Sequence, residues 1–407
     1  MGGGVLPRLV MSALLLSAAG GTAAQVEPRQ DEAEPDETLV ELERVLVTGT
    51  RLRRIDLAGP LPVTVFDRED LEASGHTALS DWLRDLPFNS FGTGAGLDAP
   101  NTSVPGHRVL SLRGLGPGYT LVLLDGQRLP GFSGTDGSST SIAGLPMAAI
   151  ARVEVLRDGA SAVYGSEAIG GVINFITRRG HQPTTVGAQY DYPTEGGGRM
   201  GTADLVVGRD YPGGDWLLTL EVNTRDPLRA TERPYLVENA PLSAFGAPGS
   251  FLRFDPQTGA PVGMLEPDVR CPAAPDVDPV FPSSGRMTIP NGEVCGYRFL
   301  DDSFERQGVD SGSIFASLRH VLRPDLVLDG RVMLWRVEGK SRLAASPVTT
   351  LTMAGDNPFN PTIGEIGPDQ GFDLAVVYRL TPLGARISES RADNLHAAVA
   401  VNPQFRQ

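Results

Sequence analysis

The sequence predicts a small α+β domain followed by antiparallel transmembrane β-strands that form part of a barrel. Three observations carry that prediction. Amphipathic helical spacing marks residues 67–86 and is absent after Arg179, where apolar and polar residues alternate. Gly (49) and Pro (33) make up about a fifth of the 407 residues, against roughly 12 % on average. Turns are therefore frequent and long helical bundles disfavoured. No run of 18 apolar residues exists. That removes a spanning helix but not spanning strands, which alternate and never build such a run.

Charge and cysteine content narrow the function. The formal net charge is −14, from 35 basic and 49 acidic residues. A nucleic-acid binder needs a basic face, so that class is set aside. Two cysteines are too few for a disulfide scaffold or a four-cysteine zinc site. The histidines (76, 107, 181, 320 and 396) show no paired ligand spacing. No metal or cofactor is expected, and no nucleophile–base pair marks an enzyme. Gly114-Leu115-Gly116-Pro117-Gly118 lacks the Lys-Ser/Thr and helix of a phosphate loop. The stretch 159–165 lacks a Gly-x-Ser-x-Gly elbow.

Residues 1–24 read as a signal peptide. Arg8 precedes a short apolar run, Leu9 to Ala19, and Thr22-Ala23-Ala24 supplies small residues for cleavage before Gln25. Residues 25–44 are an acidic lead, too polar to bury a core of its own.

The first domain occupies 45–179. Val45 to Gly49 and Pro62 to Phe66 read as strands. Asp67 caps a short helix, with Asp70 completing an approximate capping box. Thr77 to Leu86 is a second helix, with Ala78, Leu79, Trp82, Leu83 and Leu86 on one face and Pro87 ending it. Residues 88–106 are loop. Val109 to Gly114 and Tyr119 to Leu124 are strands, the second leading into the Asp125-Gly126 hairpin turn. Pro146 starts a short helix, and 151–157 and 171–177 are strands around a Gly-rich turn.

The remaining residues, 180–407, alternate. Val186, Ala188 and Tyr190 share one face; so do Ala203, Leu205 and Val207, then Trp216, Leu218, Leu220 and Val222, then Ile314, Ala316 and Leu318. Leu326 to Val337 and Leu395 to Val401 continue the pattern, giving about six strands. Residues 209–214 and 323–325 are short turns, whereas 226–307 and 338–390 are long loops. That asymmetry matches the two ends of an outer-membrane barrel. Cys271 and Cys295 share the first long loop. In an exported chain they are expected to form a disulfide, worth roughly 3 kcal/mol from loop closure.

Six segments carry a resemblance. They are VLVTGTRL (45–52), PVTVFDREDLEASG (62–75), LSDWLRDLP (79–87), VLSLRGLG (109–116), YTLVLLDGQRLPG (119–131) and IARVEVLRDGASAVYGSEAIGGVINFITR (150–178). In this order they resemble the plug domain of TonB-dependent outer-membrane receptors. Residues 180–407 resemble the start of that family's barrel more loosely. The resemblance implies active uptake of a bulky, scarce ligand (siderophore, vitamin, saccharide or peptide) across the Gram-negative outer membrane. The energy comes through TonB with ExbB and ExbD. The alternative is a truncated receptor that binds TonB or another partner through its plug without transporting. A 22-stranded barrel also implies that 180–407 supplies about a quarter of it.

TonB would take an extended segment near the N-terminus by strand addition. Two candidates stand here. Glu37-Thr38-Leu39-Val40 has the family's acidic–Thr–apolar–apolar order. The stretch from Glu43 through Val45, Leu46, Val47, Thr48 and Gly49 has the better spacing to the plug, although Arg44 stands where the family often has Thr. The short lead leaves no room for a signalling domain. The resemblance also assigns Arg113 and Arg157 as plug arginines that latch onto wall carboxylates, which suits a guanidinium because it keeps its charge when buried. Asn357-Pro358-Phe359-Asn360-Pro361 is a candidate loop tip.

Overall fold

The computed structural model describes residues 63–89, 104–131, 139–157, 161–180, 183–238 and 240–403. The signal peptide, the acidic lead, both TonB-box candidates and the strand expected at 45–49 lie outside them.

The first domain begins with β1 (Val63–Phe66), α1 (Arg68–Ala73) and α2 (Leu79–Arg84). The capping box at α1 is complete. Asp67 accepts the Asp70 N–H at 3.1 Å, and the Asp70 carboxylate accepts the Asp67 N–H at 3.0 Å. Helix α2 is shorter than the spacing predicts at both ends, starting after Ala78, which makes no side-chain cap, and ending at Arg84. Its buried Trp82 packs edge-on against Phe66, ring centroids 5.2 Å apart.

Next come β2 (Thr120–Leu124), β3 (Gln127–Arg128), β4 (Ile150–Leu156), α3 (Ser161–Tyr164) and β5 (Gly171–Thr177). Asp125 (φ 49°) and Gly126 (φ 77°) both take positive φ, as the tight β2–β3 hairpin requires. The sheet order is β1-β4-β5-β2-β3, with only the β2–β5 pair parallel. The strand expected at 109–114 is corrected. Its residues 109–112 are buried, but among the described residues the segment joins no ladder beyond a single bridge between Leu112 and Asn89. Side chains take its backbone groups instead: Ser111 N–H donates to Asn89 Oδ1 (3.0 Å) and Leu112 N–H to Thr120 Oγ1 (2.9 Å).

A second sheet follows with β6 (Thr185–Asp191), β7 (Met200–Tyr211) and β8 (Gly214–Arg225). The stretch 226–307 then folds as β9 (Leu228–Arg229), α4 (Pro234–Glu238), β10 (Ser250–Phe254), β11 (Pro261–Pro267), β12 (Ser284–Ile289), β13 (Gly292–Tyr297) and β14 (Phe304–Arg306). The long β15 (Gly308–Arg323) and β16 (Leu326–Leu343) are followed by β17 (Pro347–Met353), β18 (Asp373–Arg379) and β19 (Arg386–Pro403).

Strands β6, β7, β8, β15, β16 and β19 form one antiparallel wall in that order. Its register aligns Val186, Leu205, Leu220, Ile314, Leu334 and Leu395 in a single row, one apolar residue from every strand. The row faces outward: Leu220 is 37 % and Val186 77 % exposed. One residue along, Val206, Thr219, Phe315 and Met333 face inward and are buried. An apolar face this continuous is lipid-facing in character. On β16 the outward positions run apolar from Leu326 to Leu334 apart from Gly330, about 26 Å of strand at ~3.3 Å per residue. That is comparable to the ~25 Å band of outer-membrane barrels.

Above Leu334 the outward positions become charged. Arg336 pairs with Asp393, Lys340 with Glu389 (2.8 Å) and Arg391 with Glu338 (3.7 Å). The ladder continues, so β16 and β19 run past the ends expected at 337 and from 395. Both are 18 residues long, well beyond the 9–11 needed to cross a bilayer.

The two long insertions are not plain loops. Strands β12-β13-β11-β10-β18-β17 form another six-stranded sheet, and the β10–β18 ladder joins one insertion to the other. Its strands have five to seven residues each and follow no apolar alternation. The structure bonds Cys271 to Cys295, tying β13 to the segment before β12. Arg379, 4 % exposed, donates to the Phe245 and Ala345 carbonyls and lies 5.0 Å over the Tyr297 ring.

The first domain sits on the inner face of the wall. Leu79, Leu83, Val153 and Phe175 join Leu217, Phe315, Met333 and Trp335 in one buried cluster.

Candidate functional site

The junction between the first domain and the wall concentrates the chemistry. Asp81 of α2 and Arg225 at the end of β8 form an ion pair whose side chains are 7 % and 8 % exposed. Alternation turns Arg225 inward, and α2 turns Asp81 toward it. Asp125, in the β2–β3 hairpin, forms a second pair with Arg331 of β16. The same carboxylate accepts the Thr177 N–H and Oγ1–H, both at 2.8 Å. It therefore joins the hairpin, the end of β5 and the wall.

Hydrogen bonds extend the junction. Glu221 of β8, 3 % exposed, accepts the Ala148 N–H at 2.8 Å and the Asn223 amide at 2.9 Å. Gln189 of β6 donates to the Gly75 carbonyl (2.9 Å), and Gly106 N–H donates to Gln307 Oε1 (3.2 Å). At Gly339 of β16 the two parts meet backbone to backbone. A Cβ there would lie 2.2 Å from Pro105 C, so only glycine fits.

His107 and Arg108 lie in the same buried segment. Burial, then the neighbouring Arg108 charge, lowers the His107 pKa to about 4, so its imidazole is neutral at pH 7. Burial, followed by repulsion from Arg225, lowers the Arg108 pKa to about 9.

The residues singled out from the sequence are arranged differently. Arg113 sits at φ 58° and donates to the Ile169 (2.7 Å) and Gly170 (3.3 Å) carbonyls of its own domain. Arg157 is exposed, with its guanidinium 5.9 Å over the Phe88 ring. Among the described residues neither is paired with a carboxylate. The ion pairs that do cross the junction have the opposite sense, with acid on the domain and arginine on the wall. Phe359 is 85 % exposed at the expected tip. Its neighbour Asn360 is buried and donates to the Ala354 and Phe372 carbonyls. Among the described residues no group of three His, Cys, Asp or Glu could hold a metal.

Sequence reasoning missed Asp81, Asp125, Glu221, Arg225 and Arg331. The available signal was an ionisable residue at inward strand positions 221, 225 and 331, where a wall against water alone has no need of pairing.

Comparison with known proteins defines the class. Residues 57–172 match the sequence model of the TonB-dependent receptor plug domain. The chain is 37 % identical over 157 residues to the iron-regulated outer membrane virulence protein of Vibrio cholerae serotype O1, covering 38 % of this chain and 22 % of that protein. Among solved structures, it is similar to the siderophore receptor PirA of Acinetobacter baumannii, with 17 % identity, TM-score 0.44, 85 % of this chain and 46 % of that one. It is also similar to a mutant ferric enterobactin receptor, PfeA, of Pseudomonas aeruginosa, with 16 % identity, TM-score 0.41, 82 % of this chain and 46 % of that one. The chain spans less than half the length of these proteins.

Residues 57–172 belong to the TonB-dependent receptor plug family. The chain is an outer-membrane protein that carries this plug ahead of antiparallel barrel strands.

Proposed function

We propose that this chain is the plug and first wall strands of a receptor that takes up a bulky, scarce ligand across the outer membrane, driven by TonB with ExbB and ExbD. One observation carries the reading. A plug-family domain rests on the buried inner face of a sheet whose outer face is an apolar row across all six strands. Its role is transport rather than catalysis. Residues 1–24 act as the export signal, 25–44 as the flexible lead, 45–179 as the plug and 180–407 as wall and insertions. Arg113 and Arg157 belong to the plug's latching set. Of the ligand classes open to such a receptor, the iron-regulated Vibrio relative favours an iron chelate.

TonB engages the segment from Glu43 to Gly49, with Glu37 to Val40 as the other candidate. A photo-crosslinking residue at Leu46, and separately at Leu39, tests this in cells. Crosslinking to TonB from Leu46 is expected. No TonB adduct from either position contradicts the reading.

A further inference from the structure

Cys271 and Cys295 are the only cysteines of the chain, and the finished insertion sheet seals both. Cys295 is 0 % and Cys271 5 % exposed. Cys295 lies on β13, which β12 and β11 flank. Its N–H donates to Ser250 Oγ at 2.8 Å, and Gly246 packs so closely on its carbonyl that a Cβ there would overlap it. Ser250 is itself buried in β10, between Pro267 of β11 and Val377 of β18. On the other side the Arg286 N–H donates to the Pro272 carbonyl at 2.9 Å, closing β12 over the Cys271 segment.

Part of this seal comes from later sequence. Strand β18 begins at Asp373, in the second insertion, and pairs with β10 of the first. The insertions also leave the wall at the end opposite its short turns, which lie between β7 and β8 and between β15 and β16. Short turns are periplasmic and long connections extracellular in outer-membrane barrels. The assembled chain therefore holds its cysteines across the membrane from the periplasm. Thiol–disulfide exchange passes through a mixed disulfide, so the oxidant's sulfur must reach a cysteine sulfur. Neither sulfur is open to another protein once the sheet has closed. Before closure the two thiols are 24 residues apart in sequence, a short loop that one chain closes at modest entropic cost.

We propose that Cys271 and Cys295 are the dithiol substrate of a periplasmic disulfide-carrying protein, which oxidises them before β10 pairs with β18 and before the wall enters the membrane. The Cys271 thiolate attacks the partner's disulfide, forming a mixed disulfide and releasing one partner thiolate. The Cys295 thiolate then attacks the Cys271 sulfur, and the second partner thiolate leaves. The chain loses two protons and two electrons, and the partner takes up the electrons as it becomes a dithiol. The inference rests on the outer-membrane location and is independent of what the receptor transports.

The test uses the full chain in cells depleted of their barrel-assembly machinery, so that exported chains are held in the periplasm. Free thiols are captured after acid quenching with a polymer-tagged maleimide, and the gel shift counts them. The arrested chain is expected to show no shift. Two tagged thiols in the arrested chain, with oxidation only after assembly is restored, overturn the proposal. In cells lacking their periplasmic dithiol-oxidising proteins the arrested chain should keep both thiols; oxidation at the unaltered rate there also overturns it. Cys295→Ala removes the resolving thiol and should leave Cys271 in a covalent adduct that a non-reducing gel displays and a reductant releases. This readout needs no folded barrel, and the absence of an adduct counts against the partner. On intact cells with assembled chains, a membrane-impermeant phosphine should leave the bridge unbroken, whereas the urea-unfolded chain is reduced. Equal reduction of the two would refute the seal.

Discussion

Replacing Asp81 by Asn leaves the shape of the α2–β8 contact intact and removes one charge. Both side chains of the Asp81–Arg225 pair are more than nine-tenths buried. Arg225 then remains charged and buried, with its carboxylate partner gone. Breaking a buried pair from one side costs about 3–5 kcal/mol, against about 0–1 kcal/mol for an exposed pair. The reverse change, Arg225→Met, should fall toward the lower end, because Arg84 at 3.8 Å partly compensates the stranded carboxylate. Asp81→Asn with Arg225→Met removes both charges and should cost far less than the two single changes sum to. Trp82 adjoins Asp81 and is 5 % exposed, so its fluorescence reports local plug unfolding in urea. With a slope of about 2 kcal/mol per molar, a loss of ~4 kcal/mol lowers the midpoint by about 2 M. A cost for Asp81→Asn below ~1 kcal/mol, or an additive cycle, refutes a buried clasp here.

Three further outcomes are expected. His107 stays neutral in the folded plug down to about pH 4, whereas in the unfolded chain it gains a proton below 6.5. Its contribution is thus fully present above pH 6.5 and lost as pH falls toward 4, by up to about 3 kcal/mol; His107→Gln should flatten that part of the stability–pH curve. Gly339→Ala sets a methyl against the Pro105–Gly106 backbone and should destabilise the plug–wall contact by at least ~1–3 kcal/mol, read as faster amide exchange at 104–108. Val332→Arg puts a charge near the middle of the apolar band on β16 and should cost about 2–4 kcal/mol in bilayers, measured by reversible unfolding into lipid vesicles.

Local rules made part of this fold readable. The Asp67–Asp70 box, the Asp125-Gly126 hairpin and the apolar face of α2 each depend on residues a few positions apart. The wall was readable where lipid imposes alternation, from Leu326 to Leu334, and faded at Arg336, where the outward face changes from apolar to charged while the ladder continues. Segment 109–114 looked like a strand because it opens on apolar residues, yet the Ser111 and Leu112 N–H groups go to Asn89 and Thr120 side chains. The clasps were the least readable. Asp81 and Arg225 are 144 residues apart, and Asp125 and Arg331 are 206. Alternation marks Arg225 and Arg331 as inward, but no local pattern names the carboxylate each one meets. The insertion sheet was hidden for a related reason, since β10 finds β18 only across both insertions.

The central claim is that the plug is seated against the wall and pulled by TonB. Ser111 tests it directly. It is 1 % exposed in the seated plug, and among the described residues its hydroxyl accepts a local Gly116 N–H at 3.0 Å, so Ser111→Cys is a mild change. Intact cells carrying this variant are treated with a membrane-impermeant maleimide, with and without TonB and with and without the proton gradient. The account predicts that the thiol introduced by Ser111→Cys is labelled only when TonB and the gradient are both present. Equal labelling in the absence of TonB, or none in its presence, would contradict it.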